Sequence, residues 1–203
     1  MRVVPFSEPG DLPTAIEAVR AALAGHSVTA VPTETYYGLA VAPGDEAAVT
    51  RVLALKGRPK DKALPVVGAS LAQLETLVEF VGPWRERLFE VWPAPLTVVL
   101  PRAAPGRRSG TLAVRVPAQG LLRGLLAEVG PLTATSANRS EFPALDDAAA
   151  VSRSLGQGLA LLLDGGRTPG GLPTTVLDLC ARPPRMLRVG AFVPPAAWRV
   201  EGP

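Results

Sequence analysis

Short apolar runs of β character alternate with stretches of helical periodicity along nearly the whole chain, and this alternation limits the fold more than any other feature. Ser27-Val28-Thr29-Ala30-Val31 reads as a strand, as do residues 64–67, 96–100, 112–116, 132–135, 159–163, 175–179 and 186–189. Asp11 is placed to cap a helix with Pro13 in its first turn, Ile16, Val19 and Leu23 on one face, and Gly25 at its end. Asp45 is placed to start a second, with Val49, Val52 and Leu53 inward and Lys56-Gly57 closing it. Helical spacing returns at 71–80, 85–92, 121–129 and 146–155. Strands and helices taking turns predict an α/β fold with a mixed sheet, not a bundle or a sandwich. At 203 residues and 47% hydrophobic, one ample core suffices, so a single domain over residues 1–203 is expected.

Counting residues removes whole classes of chemistry. Cys180 is the only cysteine and His26 the only histidine, which excludes intramolecular disulfides, Cys/His zinc sites and Cys-His nucleophile pairs. His26, after Gly25, suits a capping or surface role at a helix end, and Cys180 reads as a small core hydrophobe. The opening Met1-Arg2-Val3-Val4-Pro5 lacks a signal-peptide pattern, and no apolar run reaches the ~18 residues of a membrane helix, so a cytoplasmic protein without a membrane partner is expected. The net charge of +3 admits an anionic partner such as nucleotide or RNA without requiring one.

All three lysines fall in one heptapeptide, Lys56-Gly57-Arg58-Pro59-Lys60-Asp61-Lys62, while every other side-chain cation apart from His26 is an arginine. An ammonium on a flexible stem is a point charge suited to phosphate oxygens, and a planar guanidinium does not replace it freely; the alternative is a solvated turn. There is no Walker pattern and no Gly-x-Gly-x-x-Gly, so a phosphate here would be held by side chains. Two further polar segments follow strands. Pro32-Thr33-Glu34-Thr35-Tyr36-Tyr37-Gly38-Leu39 sits where α/β sheets bind ligands, outside the carboxyl end of a strand, with a polar turn as the alternative. In Thr133-Ala134-Thr135-Ser136-Ala137-Asn138, Ser136 and Asn138 share a face at strand spacing and can reach one ligand. Glu34 and Asp61 are carboxylates available to a hydrated metal, though no metal ligand set is defined. The glycine-rich residues 165–171 form a hinge or lid candidate, or an ordinary connection.

Taken together, Pro32 to Leu39, the Lys56/Arg58 pair and Ser136/Asn138 resemble the hallmarks of the YrdC-like threonylcarbamoyl-AMP synthase family: Pro-Thr-Glu-Thr-x-Tyr-Gly-Leu, Lys-x-Arg and Ser-x-Asn. The likeness continues through Trp92-Pro93-Ala94-Pro95-Leu96-Thr97, Val114-Arg115-Val116-Pro117, Pro173-Thr174-Thr175-Val176-Leu177-Asp178 and Leu187-Arg188-Val189-Gly190. It implies a twisted mixed sheet with flanking helices and a basic concave face. It also implies an enzyme joining L-threonine, bicarbonate and ATP, with Mg²⁺, into threonylcarbamoyl-adenylate and pyrophosphate, for N6-threonylcarbamoyladenosine in tRNA. On that likeness Lys56, Arg58, Ser136 and Asn138 are the catalytic candidates. Lys56, Arg58, Lys62, Thr111, Asn138 and Arg188 would line the ATP side, and Thr35, Arg115 and Ser136 would hold L-threonine. The implied partner is the threonylcarbamoyl-transferase machinery acting on tRNA. The rival is a non-catalytic relative binding nucleotide or double-stranded RNA. Three departures from the family pattern bear on activity: Val67 in place of a histidine, and Ala94 and Glu141 in place of glycines.

Overall fold

In the computed structural model, residues 1–57, 64–103 and 110–202 are described; Arg58, Lys60, Asp61 and Lys62, and most of the polar turn read at 105–110, lie outside them. Among the described residues, eleven strands and six α-helices follow in chain order: β1 (Arg2–Pro5), α1 (Leu12–Ala24), β2 (Thr29–Pro32), β3 (Tyr37–Ala40), α2 (Glu46–Lys56), β4 (Val66–Val67), α3 (Leu71–Leu74), α4 (Trp84–Val91), β5 (Leu96–Pro101), β6 (Thr111–Arg115), α5 (Gly120–Val129), β7 (Leu132–Thr133), β8 (Thr135–Ser136), α6 (Ala148–Leu155), β9 (Leu161–Asp164), β10 (Thr175–Asp178) and β11 (Arg185–Arg188). None of these helices is long and apolar enough to cross a membrane.

The α/β expectation holds, but the strands form two mixed sheets instead of one. The first runs β1-β9-β2-β3-β8 and the second β11-β10-β5-β6-β4-β7. The division falls within residues 132–135, read as one strand. Thr133 pairs with Val66 in the second sheet, Thr135 with Leu39 in the first, and Ala134 carries the chain across.

Alternation along the strands decides which faces are covered. In β2, Ala30 packs with α2 and α6 through Val52, Leu53, Val151 and Leu155, whereas Val31 packs the other way with Ala15 and Val19 of α1 and Leu122 and Leu126 of α5. Leu162 of β9 joins the first group and Leu161 and Leu163 the second, so helices cover the first sheet on both faces. The second sheet buries Leu96, Val98, Leu100, Val114 and Leu177 against Trp84, Leu88, Trp92 and Trp198.

Several local readings are revised. Helix α3 stops at Leu74 because the chain leaves it to join the end of β5: Val78 bridges Arg102, and Glu79 N donates to Pro101 O at 2.9 Å. Asp11 precedes α1 but does not cap it; its Oδ2 accepts from Ser7 N at 2.8 Å and Glu8 N at 3.1 Å, closing the preceding turn. Cys180 is exposed, not core: it follows the last residue of β10 by two positions. His26 does serve at the surface, its Nδ1 donating to Asp45 Oδ2 at 2.7 Å. Asp45 and Asp147 cap α2 and α6 through Ala48 N at 3.0 Å and Ala150 N at 2.9 Å.

Candidate functional site

A cleft of about 610 Å³ opens between the two sheets. Its first-sheet wall comes from the turn after β2, where Pro32 ends the strand and Thr33 organises the backbone. Thr33 Oγ1 donates to Tyr36 O at 2.7 Å and accepts from Thr35 N at 3.1 Å, which leaves the Thr35 hydroxyl as donor to it at 3.2 Å. Thr35 is buried yet lines the cleft, as does Ser136 at the end of β8.

The glycine-rich segment read as hinge or connection is pinned beneath this turn. Thr168 Oγ1 and Gly170 N both donate to Thr35 O, at 2.9 and 2.8 Å, and the Tyr36 hydroxyl donates to Gly171 O at 2.5 Å. The Tyr37 hydroxyl takes Gly165 N at 3.1 Å and gives to Gly166 O at 2.8 Å; burial pushes it up to about 12, so it remains a neutral donor. So many ties make this segment a connection that braces the site.

Lys56 occupies the last turn of α2 and is buried at 1% exposure, so it belongs to the core rather than to a solvated loop. Gly57, at φ 63, ends the helix immediately after it. The ammonium donates to the Ser136 carbonyl, to Asn138 O at 2.9 Å and to Asn138 Oδ1 at 3.0 Å, with Ser136 Oγ at 3.5 Å. Ser136 Oγ donates to Asn138 Oδ1 at 2.6 Å, so the two side chains do meet. Ser136 lines the cleft and Lys56 stands behind it, joining the end of α2 to the end of β8.

The second-sheet wall carries the positive charge. On β6, Ala113 and Arg115 face the cleft; Thr111 shares their side of the strand by alternation, at its exposed start. The Arg115 side chain is only 7% exposed and pairs through Nη1 with Glu34 Oε1, itself 12% exposed, from the turn after β2. Burial lowers the Arg115 pKa and Glu34 opposes that shift. Arg188, ending β11, lines the same cleft and is held by neutral groups: Nε donates to Thr174 O at 2.9 Å and Nη2 to Thr174 Oγ1 at 2.8 Å. Its pKa is lowered by burial and by the charge of Arg115, so the two guanidiniums repel across a shared space. Thr97 Oγ1 lies 3.0 Å from Thr174 Oγ1 and completes this wall. Two guanidiniums lining one cleft, each with unspent N–H donors, can receive a carboxylate or phosphate in bidentate fashion.

Thr35, Arg115, Ser136 and Arg188 thus line one cleft, with Asn138 and Lys56 just behind Ser136; Arg58 and Lys62 lie outside the described residues. Glu34, considered for a metal, spends one oxygen on the Arg115 guanidinium, and Asp61 lies outside the described residues. Thr97 and Thr174 were missed as site residues. Their signal lay in the Pro95-Leu96-Thr97 and Pro173-Thr174-Thr175 runs at the starts of the paired parallel strands β5 and β10.

Fold and cleft together define an α/β protein of two mixed sheets with a cleft between them that two arginines line. The Sua5/YciO/YrdC family model, described as "Telomere recombination", matches residues 21–190, and the chain belongs to that family. It is 39% identical over 172 residues to a threonylcarbamoyl-AMP synthase of Pyrococcus abyssi, covering 81% of this chain and 51% of the relative. It is 38% identical over 170 residues to that of Laribacter hongkongensis, covering 81% of this chain and 91% of the relative. The crystal structure of P. abyssi Sua5 complexed with L-threonine superposes with a TM-score of 0.83 at 34% identity, over 94% of this chain and 58% of that one. The chain therefore spans about half the length of the P. abyssi relative.

Proposed function

We propose that this chain is an L-threonylcarbamoyladenylate synthase, forming threonylcarbamoyl-AMP and pyrophosphate from L-threonine, bicarbonate and ATP. The observation that carries this reading is the pair Arg115 and Arg188 on one cleft, with Glu34 paired to Arg115 and Thr35 and Ser136 lining the same cleft. The names of the relatives, and the L-threonine complex of the P. abyssi protein, support it.

Two bond-forming steps are required. The threonine amine nitrogen attacks the bicarbonate carbon, water departs, and a carbamate remains. A carbamate oxygen then attacks the α-phosphorus, the bond to the bridging oxygen breaks, and pyrophosphate leaves. No side chain need act as nucleophile, so catalysis rests on positioning and on neutralising negative charge. In this reading Arg115, Thr35 and Ser136 hold L-threonine and its carbamate. Arg188, Thr111 and Asn138 serve ATP together with Arg58 and Lys62, and Lys56 fixes Ser136 and Asn138. Mg²⁺ enters with ATP as part of the substrate, bound through its phosphates. The adenylate would then pass to the threonylcarbamoyl-transferase machinery acting on tRNA, in the cytoplasm.

The test is pyrophosphate release by purified protein given ATP, Mg²⁺, bicarbonate and L-threonine. Release that requires threonine is expected. Tight binding of double-stranded RNA with no threonine-dependent release would instead identify a non-catalytic RNA binder.

A further inference from the structure

We infer that Glu34 is a positioning residue for the threonine site, acting through Arg115 to hold its guanidinium at the seam between the two sheets; this rests on the synthase reading. Glu34 belongs to the turn after β2 in the first sheet, and Arg115 ends β6 in the second, so their ion pair is a direct tie across the cleft. The pair is almost fully enclosed, at 7% and 12% side-chain exposure. It is also incompletely satisfied. Glu34 Oε1 takes one Arg115 N–H, and Glu34 Oε2 is buried with no hydrogen-bond partner.

An enclosed carboxylate with one idle oxygen is a poor device for stability, because burial penalises the charge and only one contact compensates it. It is a good device for aim. A bidentate embrace would use two of the five guanidinium donors and turn the fork toward Glu34; a single contact at Nη1 leaves the others for the cleft that Arg115 lines. The charge matters equally. Among the described residues Arg188 is held by the neutral Thr174 groups, so without Glu34 the two guanidiniums would share the cleft with no carboxylate paired to either among those residues, and Arg115 would be driven out of register. Thr33 and Thr35, flanking Glu34 in sequence, both line the cleft, so the same turn that supplies hydroxyls to the ligand also aims the guanidinium.

The experiment is Glu34→Gln, which keeps the shape and the acceptor at Oε1 while removing the charge. L-Threonine binding is measured by calorimetry without turnover, and KM for threonine and for ATP are measured separately in the complete reaction. The expected result is a threonine affinity weakened about tenfold or more, with KM for ATP changed less than about twofold. This selective split is one that general loosening of the fold would not produce. Equal threonine affinity in variant and wild type overturns the inference and leaves the synthase reading standing; failure of wild type to bind threonine overturns both. Should Glu34→Gln not fold, Glu34→Asp, which withdraws the carboxylate by one methylene, carries the same two outcomes.

Discussion

At the scale of single residues, Lys56 shows what burial adds to a sequence motif. Its ammonium is a structural pin for Ser136 and Asn138, and the absence of arginine there follows from the space, since a planar fork cannot point at three oxygens converging on one nitrogen. Lys56→Ala leaves those oxygens without this donor. With charge-assisted bonds worth about 1.5–3 kcal/mol each and partial relaxation, a loss of roughly 2–4 kcal/mol is expected in urea unfolding. Turnover should fall by about 100-fold through displacement of Ser136. Wild-type turnover in this variant would contradict the role. Glu141 is a second case: it adopts φ 73, a conformation that costs a non-glycine residue about 1–2 kcal/mol. Glu141→Gly is therefore expected to raise the urea midpoint, or at least not lower it. Ala94 has no positive φ, so the loss of glycine there carries no such strain.

At the scale of elements, the ends carry the function and the middles the stability. Gly190 follows β11 by two residues, and a Cβ there would lie 2.3 Å from Pro173 O and 2.4 Å from both Thr174 C and Thr175 N. Gly190→Ala must therefore push away the backbone that holds Arg188. A loss of more than about 2 kcal/mol is expected, with weakened ATP binding, measured by unfolding and nucleotide titration. The cap of α6 offers a milder test. Asp147→Ala removes its bond to Ala150 N and is expected to cost about 1 kcal/mol, read as a fall of roughly 2–4 °C in Tm for a chain of this size.

Asp45, capping α2, gives a pH signature. Ala48 N–H and His26 hold its carboxyl below the usual value, so its contribution is present above the unfolded pKa of about 3.9 and is lost as pH falls through the lower folded value. Asp45→Asn should flatten the decline in stability below about pH 4, measured by urea midpoints against pH. The Asp45 cap was legible because capping is local chemistry, whereas the Asp147 cap was not read and the one read at Asp11 serves the preceding turn instead. The early end of α3 and the exposure of Cys180 were not legible, because both follow from where distant strands stop.

At the scale of the whole molecule, the α/β alternation and the two polar segments at 32–39 and 133–138 were readable from residue order, since each lies at the end of an apolar strand and strand ends are where α/β folds bind ligands. Their assembly was not readable. One apparent strand at residues 132–135 feeds two sheets, and no periodicity distinguishes Thr133 from Thr135 until their partners Val66 and Leu39 are known. The same division creates the cleft and sets Glu34 against Arg115, 81 residues apart in sequence, so the charge balance of the site belongs to the tertiary structure alone. In the proposed reaction this cleft joins the bicarbonate carbon to threonine and the resulting carbamate to AMP. Isotope transfer tests it most directly: incubate the protein with ATP, Mg²⁺, L-threonine and ¹³C-bicarbonate, and follow the nucleotide product by mass spectrometry. A threonylcarbamoyl-AMP species carrying one ¹³C and absent without threonine is expected; folded protein that yields no labelled adenylate while threonine and ATP are present overturns the synthase reading.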